Sequence, residues 1–239
     1  LPRAIASVRA LRLSVPYEHV IVDDGSRDGT ASYLAAQAAD DPRLVIVRRD
    51  HSRGVAAARS SALGAARGEF CADLDDDDLL TVSGVEVRLR WLRDHPERWA
   101  VHANALRIDE GERYIVGGDV LNFACDDPLL CLRLFYDSAM IPNASTGMFR
   151  RSALLELGGW DETLSCCEDY DLWLRGLLRF GPPGFVDTVV SLYRVKERSL
   201  GIDSVRTGVH AANQRTVQAR IRALAPPGAL NAEERHDAG

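Results

Sequence analysis

The sequence predicts an α/β fold built on a mostly parallel central sheet flanked by helices. Two observations carry that expectation. Short apolar runs alternate with helix-patterned segments through residues 19–95, the order of a βαβ chain. Two of those runs stop abruptly at acidic clusters, the edge of an open sheet where ligands sit.

The elements follow in order. His19-Val20-Ile21-Val22 is a buried-strand run ending at Asp23-Asp24-Gly25-Ser26. Residues 28–39 read as a helix, with Asp28 or Thr30 near its N-cap. Leu44-Val45-Ile46-Val47 is a second strand. An Ala-rich helix over 54–66 is stopped by Gly68. Glu69-Phe70-Cys71-Ala72 starts a third strand, and a helix over 82–95 is closed by Pro96. Beyond it the pattern is mixed: a strand over 99–108, a partner at 114–116, a helix over 129–140 and a short strand over 145–150. A short helix over 152–157 ends at Gly158-Gly159. The helix over 168–180 is strongly amphipathic, with Leu172, Trp173, Leu177 and Leu178 on one side. A strand over 185–195 and a helix over 205–224 complete the pattern.

The 239 residues suit one domain. We expect it to span 1–224, with a flexible tail over 225–239. Hydrophobic residues make up 46% and charged residues 27%, which excludes disordered and collagen-like chains. No apolar stretch approaches the roughly 18 residues of a membrane span. A net charge of −6 argues against nucleic acid as a partner. The five cysteines have no metal-ligand spacing, so a reduced, cytoplasmic setting is the simpler reading.

Four places carry chemistry. Asp23-Asp24-Gly25-Ser26 reads as a turn with a helix cap, or as carboxylates that accept hydrogen bonds from a ribose or a base. Asp73-Leu74-Asp75-Asp76-Asp77-Asp78 puts five carboxylates in six residues. They repel one another unless solvent or a cation screens them, and hard cations such as Mg²⁺ and Mn²⁺ take such oxygens together with phosphate. Glu168 and Asp169 open the amphipathic helix, as dipole-favoured acids or as a general base on a rigid support. Asp171 and Arg175, four residues apart, suit a pair on that helix's surface. Arg194, Lys196 and Arg198 end the last strand, either protecting a sheet edge or facing a diphosphate. Lys196 is the sole lysine among 29 basic residues.

Order and spacing together make the set specific. The Asp23–Thr30 segment, Gly54-Val55-Ala56-Ala57-Ala58-Arg59, Leu74-Asp75-Asp76-Asp77-Asp78, and Gly158-Gly159-Trp160-Asp161-Glu162 followed by Glu168-Asp169-Tyr170-Asp171-Leu172-Trp173 resemble the inverting glycosyltransferases of family 2. The resemblance covers about residues 1–200 and implies the GT-A fold, a Rossmann-like nucleotide-diphospho-sugar transferase architecture. It further implies a nucleotide-binding half at about 1–100 and an acceptor-binding half at about 101–224.

Roles follow residue by residue from the resemblance. Asp24 would contact the base with Asp23 in support, and Arg59 would lie near the nucleotide. Asp75 and Asp76 would meet the ribose or the water shell of a metal. Asp77, with Asp75, would hold Mn²⁺ or Mg²⁺ against the diphosphate. Asp169 would be the general base and Glu168 its assistant. The implied partners are a nucleotide-diphospho-sugar donor and a saccharide, glycolipid or small natural-product acceptor, with peripheral membrane contact open. Specificity is expected within 109–145 and in the loop before Glu168.

Two departures stand out. The family opens with a strand and a base-stacking turn, whereas Leu1-Pro2-Arg3-Ala4-Ile5-Ala6-Ser7-Val8 resembles the helix that follows them. The expectation is that the first strand is missing from this sequence. Relatives often carry histidine where Lys196 stands; a protonated lysine cannot ligate a cation but neutralises phosphate directly. Cys166 and Cys167 read as packing residues in a mobile loop, and Trp160 as a structural anchor ahead of a sugar-stacking face. The competing readings are a nucleotidyltransferase, which leaves the Glu168-Asp169 helix unexplained, and a catalytically weakened nucleotide-sugar-binding module.

Overall fold

A computed structural model describes residues 1–120, 122–138, 142–197 and 200–230. Arg198 and residues 231–239 of the expected tail therefore lie outside the described residues, as do 139–140 of the expected fifth helix.

Helix α1 (Pro2–Arg9) precedes β1 (His19–Asp23), α2 (Thr30–Asp40) and β2 (Leu44–Arg48). Next come α3 (Val55–Ala65), β3 (Phe70–Ala72), the two-residue β4 (Leu79–Leu80) and α4 (Gly84–Asp94). The long β5 (Ala100–Ile108) is followed by β6 (Tyr114–Val120) and α5 (Pro128–Ser138). A 3₁₀ turn at Ala144–Thr146 leads into β7 (Met148–Arg150) and α6 (Arg151–Glu156). The chain continues through α7 (Glu168–Phe180), β8 (Gly184–Arg194), α8 (Leu200–Arg206) and α9 (Val209–Leu224).

The expected mostly parallel sheet is instead mixed. β1–β2 and β5–β8 pair in parallel. β3–β7, β4–β8, β5–β6 and β5–β7 are antiparallel. A helical crossover, α2, links β1 to β2 and permits parallel pairing. After Ala100 the chain reverses through the Asp109–Arg113 turn, whose backbone bond closes a β5–β6 hairpin. β6 extends past the expected 114–116 to take in Gly117 and Gly118.

The strands form two sheets, β1–β2 and a six-stranded sheet of order β3-β7-β5-β8-β4 with β6 beside β5. β1 and β3 face one another unpaired across a cavity of about 970 Å³, lined by Ile5, Val20, Val22, Phe70, Ala72 and Leu89. This explains why His19–Val22, an apolar run of the fully buried kind, is only half-buried.

The core centres on α7. Glu168, Asp169 and Asp171 occupy its first turn and Arg179 its last, each favoured by the helix dipole. Gly181, at φ 85°, ends it. Leu172, Trp173, Leu174 and Leu177 are buried; each leucine contributes about 1.5–3 kcal/mol by area removed from water. Trp173 meets Trp99 edge-on with ring centroids 5.5 Å apart. Gly176 faces the same indole, and a Cβ there would stand 2.1 Å from Trp99. The end of α9 packs here through Val217 and Ile221, and Ala229 beyond it is buried, its carbonyl accepting from Arg133 at 2.9 Å. The first part of the expected flexible tail is thus held against the core.

Candidate active site

The acidic turn after β1 is fixed by Gly25. Its φ of 82° and the backbone of His51 and Ser52, 2.6–2.7 Å from where a Cβ would stand, leave room for glycine alone. The turn separates the two aspartates. Asp24 Oδ1 accepts from Arg49 Nη1 at 2.7 Å. Asp24 Oδ2 accepts from Ser52 Oγ at 2.6 Å and from the Arg53 and Gly54 amides at 3.0 and 2.9 Å. Asp24 thereby anchors the loop entering α3, and these hydrogen bonds hold its carboxyl below the usual range despite partial desolvation. Asp23 is more deeply buried; its Oδ1 accepts from the Ser26 amide, while its Oδ2 has no hydrogen-bond partner. The guanidinium of Arg48 stands 3.8 Å away, too far for a hydrogen bond. The two aspartates are thus engaged unequally: Asp23 keeps one oxygen without a hydrogen-bond partner, whereas both oxygens of Asp24 are taken up by Arg49, Ser52 and the loop entering α3.

Arg59 projects from α3 between two acidic segments. Its Nη2 donates to Asp75 Oδ1 at 2.6 Å and its Nη1 to Glu168 Oε1. Both partners, with Asp73 and Asp169, hold the guanidinium firmly protonated against its desolvation. The loop after β3 and the start of α7, far apart in sequence, thus meet at one residue. Burial raises the carboxyls of Glu168 and Asp169, the negative neighbour Asp169 adding to the shift at Glu168. Asp169 is half-buried, and its Oδ1 accepts from the Tyr170 amide at 2.8 Å.

The carboxylates of the acidic run have separate fates. Asp76 is exposed. Asp77 Oδ2 pairs with Lys196 Nζ at 2.7 Å. Asp76, Asp77 and Lys196 border a cavity of about 430 Å³ with Arg3, Glu112 and Arg194. Asp78 is fully buried and ties the loop to its surroundings, accepting from Ser145 Oγ at 2.7 Å and the Arg194 amide at 2.9 Å. Desolvation pushes its carboxyl up to about 7. Asp73, beside Arg59 and Asp75, is pushed up to about 6, again chiefly by burial.

Arg194 departs from the expected cluster of phosphate-facing cations. Its guanidinium donates to the backbone oxygens of Asp77 at 2.8 Å and Asp109 at 3.1 Å and pairs with Glu112. It fastens the acidic loop to β8, leaving Lys196 as the described cation at this spot whose partner is an acidic-run side chain. The Asp171–Arg175 pair also differs from a surface pair. Asp171 is buried, and it orients Arg175 to cap the carbonyls of Leu157 and Gly159 at 2.7 and 2.8 Å. Trp160, next in the chain, is buried in the core, as an anchor would be. Cys166 and Cys167, in the segment between α6 and α7, are packed into the core, as packing residues would be.

Two supporting residues escape the sequence reading. Ser145 is fully buried and touches both the Asp75 amide and Asp78. Arg88, fully buried in α4, donates to the carbonyls of Gly147 and Ser145 at 2.7 and 3.3 Å and so fixes that turn. Its signal was available: an arginine between Val85 and Leu89 on an apolar helix face.

The family model described as "Glycosyl transferase family 2" matches residues 1–158, well over half of the chain. The chain belongs to that family. Succinoglycan biosynthesis protein ExoU of Rhizobium meliloti is 33% identical over 188 residues, which cover 74% of this chain and 53% of ExoU. Two solved structures share the fold. The mannosyltransferase PcManGT of Pyrobaculum calidifontis, in complex with GDP-Man and Mn²⁺, superposes with a TM-score of 0.66 at 22% identity, covering 92% of this chain and 60% of its own. TarS of S. aureus, residues 1–349 in complex with UDP, gives 0.63 at 18% identity, covering 92% and 66%. The family 2 chain described here thus has the GT-A fold and spans between about half and two thirds of these relatives. Among the described residues no helix is long and apolar enough to cross a membrane.

Proposed function

We propose that the protein transfers a sugar from a nucleotide-diphospho-sugar to an acceptor hydroxyl with inversion at the anomeric carbon. One observation carries this reading: Arg59 joins Asp75 of the acidic loop to Glu168 at the start of α7. A diphosphate-side group and an acceptor-side carboxylate are thereby held beside one another, as a single displacement requires.

In this reading Asp169 takes the proton of the acceptor hydroxyl, its rigid helix fixing the direction of approach. Glu168, held by Arg59, positions the acceptor. Asp23 Oδ2 receives a nucleotide donor group, and Asp24 acts by holding the loop. Asp76 lies at the exposed edge, beside the ribose. Lys196 neutralises a phosphate oxygen as the nucleoside diphosphate departs. The nucleotide half is assigned to about 1–100 and the acceptor half to about 101–224.

The donor set also fits a hard divalent cation, Mn²⁺ or Mg²⁺. Asp75 and Asp77 each have one oxygen engaged by a cation, Arg59 or Lys196, and present a second oxygen of the kind such ions prefer. When bound there, the ion supplies Lewis-acid stabilisation of the leaving diphosphate. The donor sugar is read from a panel of UDP-, GDP- and dTDP-linked sugars, assayed with Mn²⁺, with Mg²⁺ and with chelator. One nucleoside diphosphate is released in a metal-dependent manner, and Asp169→Asn lowers the rate on the order of 10²-fold or more. Undiminished turnover by Asp169→Asn removes Asp169 as the base.

A further inference from the structure

We propose that Cys166, Cys167 and His210 form a second metal site, selective for a thiophilic divalent cation of the Zn²⁺ type. The ligand atoms of all three lie within 4.8 Å of one another. Cys167 Sγ is 3.9 Å from Cys166 Sγ and 3.5 Å from His210 Nδ1. A tetrahedral zinc ion, with Zn–S of about 2.3 Å and Zn–N of about 2.0–2.1 Å, has S···S and S···N edges of about 3.8 and 3.6 Å. The two observed separations are those edges. Both cysteines are free thiols.

The backbone brings the vicinal pair together. Side chains of adjacent residues point apart in an extended chain. Cys167 instead has left-handed dihedrals, φ 65° and ψ 20°, one of two non-glycine residues with positive φ among those described. Asn213, one turn beyond His210 on α9, donates through Nδ2 to Cys166 Sγ at 3.4 Å and to the Cys166 carbonyl at 3.1 Å. That is the kind of outer hydrogen bond that orients a sulfur ligand. Two thiolates balance the charge of a divalent ion, so the filled site adds no net charge beside Glu168 and Asp169. Three protein ligands leave the fourth position to water.

The site is separate in chemistry from the acidic loop, whose ligands are all hard oxygens; sulfur and imidazole select a softer ion. It is also placed to matter. Cys167 is the residue before α7, two positions from Asp169, and His210 lies in the first turn of α9. An ion here ties α9 to the end of α7 that presents the acidic pair.

Cobalt is the probe. The reduced protein is titrated anaerobically with Co²⁺ and read by absorption. One equivalent is expected to produce a thiolate-to-cobalt charge-transfer band together with the intense visible bands of a tetrahedral ion, and Zn²⁺ should bleach both. Cys166→Ser and Cys167→Ser lose charge-transfer intensity. His210→Ala weakens Co²⁺ by more than about tenfold, since even an outer-shell loss costs that much. Asp77→Asn keeps the full spectrum, which separates this site from the acidic loop. The proposal is overturned if folded wild-type protein, checked by circular dichroism, gives no charge-transfer band at one equivalent. A band of undiminished intensity in both serine variants, or one that disappears in Asp77→Asn, overturns it equally.

Discussion

Lys196 Nζ lies 2.7 Å from Asp77 Oδ2, so the sole lysine of the chain is paired with the carboxylate proposed to hold a metal. Hydrogen bonding to Asp77 raises the lysine further into its protonated form. The ammonium and a divalent ion therefore compete for the same carboxylate while both favour a departing diphosphate. Lys196→Ala is expected to lower kcat and, at the same time, to tighten the half-activating concentration of Mn²⁺. A titration of rate against metal measures both. Unchanged kcat with an unchanged metal curve would falsify the shared role.

Arg59, its side chain 13% exposed, stands between the buried Glu168 and the one-third-exposed Asp75. Removing one partner of a buried ion pair leaves an uncompensated charge, at a cost of about 3–5 kcal/mol. Arg59→Ala should lose stability on that scale as well as activity. Arg59→Lys should rescue little, since a single ammonium does not reproduce the planar fork that reaches both acids. Adding Glu168→Gln to Arg59→Ala should recover part of the stability and none of the activity. Urea denaturation of the four proteins decides it: a loss below about 1 kcal/mol in Arg59→Ala would mean that the pairs are solvent-screened and not a structural bridge.

How far the sequence could go depended on the range of the interaction. Helix α7 was legible to the residue because its period and its terminal glycine are local. β4 was not: two residues carry no periodicity, and the strand exists only through its pairing with Leu192 and Ser191. The expected single helix over 205–224 breaks into α8 and α9 at Gly208, whose φ of 76° a helical residue does not adopt. The acidic motifs were all found, but their division of labour was hidden. Asp24 is claimed by Arg49 and Ser52, more than twenty residues away in sequence. Arg59 is claimed by Glu168, which lies 109 positions on. Spacing rules do not reach that far, so the acidic motifs were readable in the sequence while their contacts, and the supporting roles of Ser145 and Arg88, were not.

Stability and activity should respond to pH in opposite directions. Four carboxyls at the site, Asp73, Asp78, Glu168 and Asp169, are raised, each chiefly by burial. A raised carboxyl means the folded protein binds protons that the unfolded chain has released. Its stabilising contribution is complete below the unfolded value and is lost as pH rises through the folded one. For Asp73 and Asp78, raised from 3.8 to about 6 and about 7, that window runs from about 4 to 7. The base must ionise to work, so kcat/KM should climb with pH, its midpoint above the ordinary carboxylate range. Asp78→Asn keeps an acceptor for the Arg194 amide and a polar group for Ser145. It should flatten the stability profile and make the protein more stable than wild type at pH 8 by more than about 1.4 kcal/mol, the equivalent of one pKa unit. Denaturant midpoints collected between pH 4 and 8 test this. A variant less stable than wild type at pH 8 would show that the ionised Asp78 is the stabilising form.

Asp23 and Asp24, adjacent in the chain, should respond differently to substitution. Asp24 is saturated by Arg49, Ser52 and the amides leading into α3, so Asp24→Ala should behave as a structural lesion. It removes the acceptor of the Arg53 and Gly54 amides and leaves the largely buried guanidinium of Arg49 without its carboxylate. Asp23 has one bonded oxygen and one buried oxygen with no hydrogen-bond partner, an arrangement that costs stability unless a ligand completes it. Asp23→Asn should therefore leave the melting temperature close to that of wild type, or raise it, while weakening nucleotide binding. Melting curves with and without UDP and GDP distinguish the two: ligand-induced stabilisation disappears in Asp23→Asn and persists, from a lower baseline, in Asp24→Ala. The converse pattern would return the base contact to Asp24, and would require the loop carrying Arg53 and Gly54 to release that carboxylate when nucleotide arrives.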